Sequence, residues 1–212
     1  MRIAWFGLSS PGAAAEYAAR LLPALTPHAD VGIFVEDGAS DGGIERSGVH
    51  DLSAVHYRNV LFRYDVVVYL LSKAPVGGKM REAFCEWPGV AIVFDDGAHE
   101  TVGRDPGLRR ALRERMLAVI VHSASIAKRL RADDPWISVF ELEPPRGGFG
   151  ELARQIIEVC RKALARSEGW LEALLETACA ELPGFTPGDR DAPWRAEVDE
   201  LSLLASRWQR SR

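Results

Sequence analysis

Over the first 145 residues, short β-rich apolar runs alternate with helical stretches, and this order leaves few folds open. The runs are Arg2–Gly7, Asp30–Val35, Asp65–Leu71, Val90–Phe94, Leu117–Val121 and Ile137–Leu142. Val66–Tyr69 and Ala91–Phe94 are continuously apolar rather than alternating, the mark of strands covered on both faces. Helical patterns fall between the runs. Ala13–Leu25 sets Tyr17, Leu21 and Leu25 in one stripe. Lys79–Glu86 is stopped by Pro88 and Gly89, and Pro106–Arg115 opens on a proline in its favoured early position. Ser125–Ala132 places Ile126 and Leu130 on one face. The expected fold is α/β: a doubly wound, mostly parallel, Rossmann-like sheet.

Two regions depart from this rhythm. Gly38–Ser53 is rich in glycine, serine and acids and reads as a surface loop, with a short helix over Ser53–Phe62. After Pro144–Pro145 and Gly147–Gly148 the strand signal stops. The chain therefore divides into a Rossmann-like domain at 1–145 and a helical C-terminal extension at 146–212. Within the extension, Gly150–Arg166 and Trp170–Leu182 read as two helices. Pro183–Pro193 reads as a loop and Pro193–Arg210 as a third helix with Trp194, Val198, Leu201 and Trp208 near one stripe. This extension packs on the sheet, on itself, or on a partner. In the last case Trp194 and Trp208 are its natural anchors.

Composition narrows the function classes. The chain is 47% hydrophobic and 26% charged, enough to bury a core. Its net charge of −4 lacks the basic footprint of a dedicated nucleic-acid binder. Cys85, Cys160 and Cys179 are odd in number and widely spaced, which fits neither a disulfide framework nor a cysteine zinc site. The apolar runs Ile3–Phe6 and Val66–Leu71 are too short for a signal core or a membrane span. A cytoplasmic protein without metal, cofactor or membrane span is expected.

In a doubly wound sheet, ligands bind beyond the carboxyl ends of the strands, so the chemistry-bearing candidates are the polar residues of those loops. Ser9, Ser10 and Gly12 lie in the first loop, which opens a helix and can present backbone N–H groups to an anion. Its spacing is not GxGxxG. Ser72 and Lys73 end the third run, and the Gly77-Gly78-Lys79 that follows is no P-loop, because Met80 stands where serine or threonine is needed. Asp95, Asp96 and His99 follow the fourth run. Two carboxylates and an imidazole there could act as a base, bind a metal with help from elsewhere, or form a solvated loop in which an aspartate caps the next turn. His122 and Ser123 end the fifth run, with Ser123 placed to cap the helix after it. HExxH and GxSxG are absent.

Several segments taken together resemble a known family. Met1-Arg2-Ile3-Ala4-Trp5-Phe6-Gly7 with its small-residue loop, then Glu16-Tyr17 running to Leu25, resembles the opening of GT-B-fold, nucleotide-sugar-dependent retaining glycosyltransferases. Tyr64–Tyr69, Trp87-Pro88-Gly89-Val90 and Val119–Ser123 look like later strands of that family's N-terminal, acceptor-side half. The resemblance covers about residues 1–145. It implies a single lobe whose donor-binding C-terminal half is absent, with Leu152–Leu164 similar to the terminal helix of such enzymes. Asp95 stands where that family often carries histidine, beside Asp96.

Three functions follow. The leading one is a glycosyltransferase-like, non-autonomous lobe that binds an acceptor, sugar or nucleotide-type ligand at the strand ends, or completes a cleft with a partner. The second is a non-catalytic interaction protein dimerising through its C-terminal helices. The third is a small active glycosyltransferase using Asp95 or Asp96 as base.

Overall fold

A computed structural model describes residues 1–7, 12–35, 49–51, 64–143 and 148–181, with 49–51 and 167–181 described by backbone alone. Ser9, Ser10, most of the 38–53 loop, the short helix expected at 53–62 and everything after residue 181, including Trp194 and Trp208, lie outside the described residues.

The elements in chain order are β1 (Arg2–Phe6), α1 (Ala13–Leu25), β2 (Asp30–Val35), β3 (Val49–Asp51), β4 (Val66–Leu71), α2 (Gly78–Glu86) and β5 (Gly89–Val93). There follow α3 (Asp96–Arg104), α4 (Pro106–Glu114), β6 (Met116–Val121), α5 (Ala124–Asp133), β7 (Val139–Glu141) and α6 (Phe149–Glu181). The strands form one sheet in the order β3-β2-β1-β4-β5-β6-β7. Every pair is parallel. The expected doubly wound α/β fold is what the chain adopts.

Strand alternation distributes the core between two layers. Trp5, Val68, Leu70, Ile92 and Ile120 face α1 and α6, joined by Leu21, Leu25, Leu152, Ile156 and Cys160. Phe6, Tyr69, Leu71, Val93 and Val121 face the other layer, where Phe84, Val102, Leu112 and Leu130 of α2 to α5 meet them. The continuously apolar β4 and β5 are buried along their whole length, because helices cover both of their faces.

Three expectations are corrected. The residues from Asp96 to Glu100, expected as loop, are the first turns of α3. Asp95 starts that helix by accepting a hydrogen bond from the Ala98 N–H at 2.7 Å, so a side-chain cap rather than apolar periodicity sets the element. Inside the expected 38–53 loop, Val49–Asp51 forms an edge strand on β2. Three residues around a histidine carry no readable alternation. The helices expected at 150–166 and 170–182 are one continuous helix of 33 residues. Gly169 in its interior costs only about 1 kcal/mol, too little to break it.

Candidate functional site

The strand order reverses between β1 and β4, so the loops leaving their carboxyl ends diverge and open a crevice. Gly7 ends β1 there, at φ +128°. A Cβ on Gly7 would lie 2.5 Å from the Leu70 carbonyl oxygen, so only glycine lets β1 leave the sheet this close to β4. The crevice is a shallow, open depression whose walls enclose only about 20 Å³. Gly7, Ala14, Ser72, Ala74, Val76 and Met80 are among its walls.

Each candidate residue has a definite place. Gly12 is the N-cap of α1, at φ +145°, and its carbonyl accepts from the Glu16 N–H at 3.0 Å. Ser72 Oγ accepts from the Ala74 N–H at 3.3 Å, folding the loop after β4 into a tight turn. The Ser72 hydroxyl proton stays available to a ligand. Lys73 is exposed, and its carbonyl accepts from Thr101 Oγ1 at 3.3 Å. A Cβ on Gly97 would meet Lys73 Cβ at 2.4 Å, so this loop is pressed onto the start of α3.

The three residues read as possible acid–base groups have structural partners. Asp95 caps α3. Asp96 is ion-paired with Arg129 of α5. His99 Nε2 lies 3.8 Å from Asp133 of α5, with the ring largely covered. These contacts tie α3 to α5 on the layer opposite α1 and α6.

His122, at the end of β6, is the most completely engaged of the candidates. Its Nδ1 is 2.9 Å from the Leu142 carbonyl oxygen, and its Nε2 is 2.8 Å from the Tyr17 hydroxyl. A carbonyl only accepts, so Nδ1 carries the proton. In the neutral ring Nε2 therefore accepts from the Tyr17 O–H. Burial lowers the His122 pKa, with the Leu142 hydrogen bond opposing. Burial also raises the Tyr17 phenol. Both groups are neutral at pH 7. Phe94, from the end of β5, and Phe149, from the start of α6, pack against Tyr17 at ring-centre distances of 5.0 and 5.7 Å. The Arg20 guanidinium lies 4.8 Å over Phe149. Ser123 occupies the N-cap of α5, but its side chain makes no capping bond, contrary to expectation.

Tyr17, Arg20 and Phe149 were not among the sequence candidates. Tyr17 falls on the apolar stripe of α1 and reads as packing. Only the three-dimensional fold brings its hydroxyl to a histidine 105 positions away.

Among the described residues no helix is long and apolar enough to cross a membrane. The chain matches no protein-family model, and no curated protein matches it in sequence. Among solved structures it is similar to a chain of sucrose-phosphate synthase from Thermosynechococcus elongatus. The TM-score is 0.50 and the identity 12%, over 76% of this chain and 98% of that one. At this identity the likeness establishes a shared fold.

Proposed function

We propose that the chain is a glycosyltransferase-like single lobe that binds a sugar or nucleotide-type ligand in the crevice between β1 and β4. A partner protein or a second copy supplies the opposing wall. The observation that carries this reading is the crevice itself: it lies at the switch point, where this fold class binds ligands, and among the described residues it is an open depression. The name of the structural neighbour, a sucrose-phosphate synthase, supports a sugar-type ligand.

In this reading the Ser72 hydroxyl and the N–H groups at the start of α1, beside Ser9, Ser10 and Gly12, take the ligand's oxygens. Lys73 supplies a positive charge at the rim for a phosphate. His122 is a positioning residue that fixes α1 and α6 against the ends of β5 and β6, and Ser123 offers an unspent hydroxyl beside it. Asp95, Asp96 and His99 shape the α3 wall of the same edge. A lone lobe leaves a bound sugar phosphate in water. It therefore lacks the enclosure and fixed dipoles that stabilise a departing sugar, and binding without turnover is expected.

The test is a thermal-shift screen of nucleotides and nucleotide sugars on the full chain, paired with donor hydrolysis by the chain alone. A ligand that raises the melting temperature, and does so far less with Ser72→Ala or Lys73→Ala, is the expected result. No shift from any nucleotide or sugar refutes the site. Hydrolysis of the donor by the chain alone refutes the non-autonomous reading and favours a small active transferase.

The continuation of the α6 backbone to Glu181 favours a second reading. The leucines at 171, 174 and 175 with Ala178 keep helical spacing there, as a dimer contact requires. A dimer in light scattering that Leu174→Asp dissolves, with no ligand shift in the screen, would support it. A monomeric wild type excludes it.

A further inference from the structure

The surface opposite the crevice carries a second constellation, on the loop between α5 and β7. Trp136 in this 134–138 loop is 91% exposed, the one large hydrophobic residue so exposed among the described residues. Arginines from three helices converge on the same loop. Arg113 of α4 places Nε 3.8 Å from Asp134, while its Nη2 donates to Glu114 at 2.9 Å. Arg131 of α5 donates to the Val139 carbonyl at 2.9 Å. Arg166 of α6 donates to Ser138 Oγ. Asp134 is buried, and it fixes the loop by accepting from the Trp136 N–H at 3.0 Å. The stretch from Arg104 to Asp134 holds eight Lys or Arg side chains against four Asp or Glu, and Arg104, Arg110, Arg113 and Arg129 are already paired with carboxylates. Arg109 and Lys128, exposed on α4 and α5, extend the basic surface and form no ion pair with a described residue.

We propose that this Trp136–arginine loop is a docking site for an acidic segment of another protein, with Trp136 as the apolar anchor and the guanidiniums of Arg131 and Arg166 as carboxylate receptors. The guanidiniums of Arg131 and Arg166 are each held by a neutral oxygen, the Val139 carbonyl and Ser138 Oγ, so their remaining N–H groups present a fork suited to directional carboxylate pairing. A single exposed tryptophan is too little apolar surface to seat a lobe in a bilayer, but a tryptophan ringed by arginines is the composition of a protein-binding hot spot. The edge of β7 is not the receptor, because Arg131 already caps its outward Val139 carbonyl. The site lies beyond the amino ends of the strands, so a protein held there leaves the crevice clear.

The full chain is titrated with a fluorescein-labelled peptide of alternating glutamate and leucine, at low and at physiological salt. In parallel it is mixed with phosphatidylcholine vesicles containing phosphatidylserine. Saturable peptide binding that weakens with salt is expected, and Trp136→Ser should raise Kd at least about tenfold. Paired Arg131→Glu and Arg166→Glu should abolish binding, while Arg154→Glu, on α6 but far from the loop, leaves Kd within about twofold. Melting temperatures and the crevice-ligand shift of Trp136→Ser should match the wild type. The proposal is overturned by absent peptide binding, by equal affinity of Trp136→Ser, by Trp136-dependent vesicle binding in place of peptide binding, or by a self-association that Trp136→Ser dissolves.

Discussion

Substituting alanine at Gly7 isolates what the crevice demands of the backbone. Gly7 and Gly12 both sit at positive φ, +128° and +145°, where an L side chain is strained. Each Gly→Ala change should therefore cost about 1–3 kcal/mol of backbone strain. At Gly12 a Cβ would meet nothing within 4 Å, so the cost ends there. At Gly7 it would lie 2.5 Å from the Leu70 carbonyl oxygen and 2.8 Å from Leu70 Cβ. Neither contact is the end of a flexible side chain. Relief requires β1 and β4 to separate, which adds about 1–3 kcal/mol of overpacking. For a chain of this size that extra term is worth a further drop of about 3–10 °C in melting temperature. Thermal and urea unfolding of Gly7→Ala, Gly12→Ala and wild type measure it directly, and crevice ligands should lose affinity for Gly7→Ala first. Equal destabilisation by the two substitutions would refute the close-approach reasoning and leave backbone strain as the whole effect.

Other outcomes follow from the same geometry. His122 is depressed in the fold, so below its ordinary pKa of 6.5 the unfolded chain takes up the proton more readily. Wild-type stability should fall as pH drops from 7 through 6, and urea midpoints of His122→Gln should show a smaller fall; identical profiles would exclude His122 as the titrating group. Asp105 caps α4 through the Gly107 and Leu108 N–H groups and pairs with Arg81, whose hydrogen bond leads in holding its pKa down to about 2. Asp105→Asn should therefore flatten the acid limb between pH 4 and 2, where the wild-type contribution is lost as the carboxylate is protonated. Asp95→Ala removes the α3 cap and should cost about 1 kcal/mol in urea unfolding. Cys160 is fully buried and its thiol pushed up to about 12, so native alkylation followed by peptide mass analysis should label half-buried Cys85 and leave Cys160 unmodified.

The features that the sequence exposed are those with a strong local cause. β4 and β5 are legible because burial on both faces demands an unbroken apolar run, and α1 because its stripe keeps a steady helical period. α3 escaped because its buried residues are only Ala98 and Val102, and its start depends on one capping carboxylate. The ends of the strands point to His122, Ser72 and Lys73 by position alone. Their partners are non-local: Tyr17 for His122, Thr101 for the Lys73 carbonyl and Arg129 for Asp96. Nothing in a linear pattern distinguishes a tyrosine that packs from one that also donates to a distant histidine. The arginine loop was hidden for the same reason, since its guanidiniums come from three helices and meet only around Asp134, Ser138 and Val139.

The return of α6 across the sheet imposes an order on how the protein is made. Trp5, Val68, Ile92 and Ile120 are synthesised early, yet their cover includes Leu152, Ile156 and Cys160 from the late helix. A nascent polypeptide that has reached residue 145 already contains every described strand of the sheet, yet the wall formed by these side chains has only α1 over it and is sealed only when the segment through Ala163 has emerged.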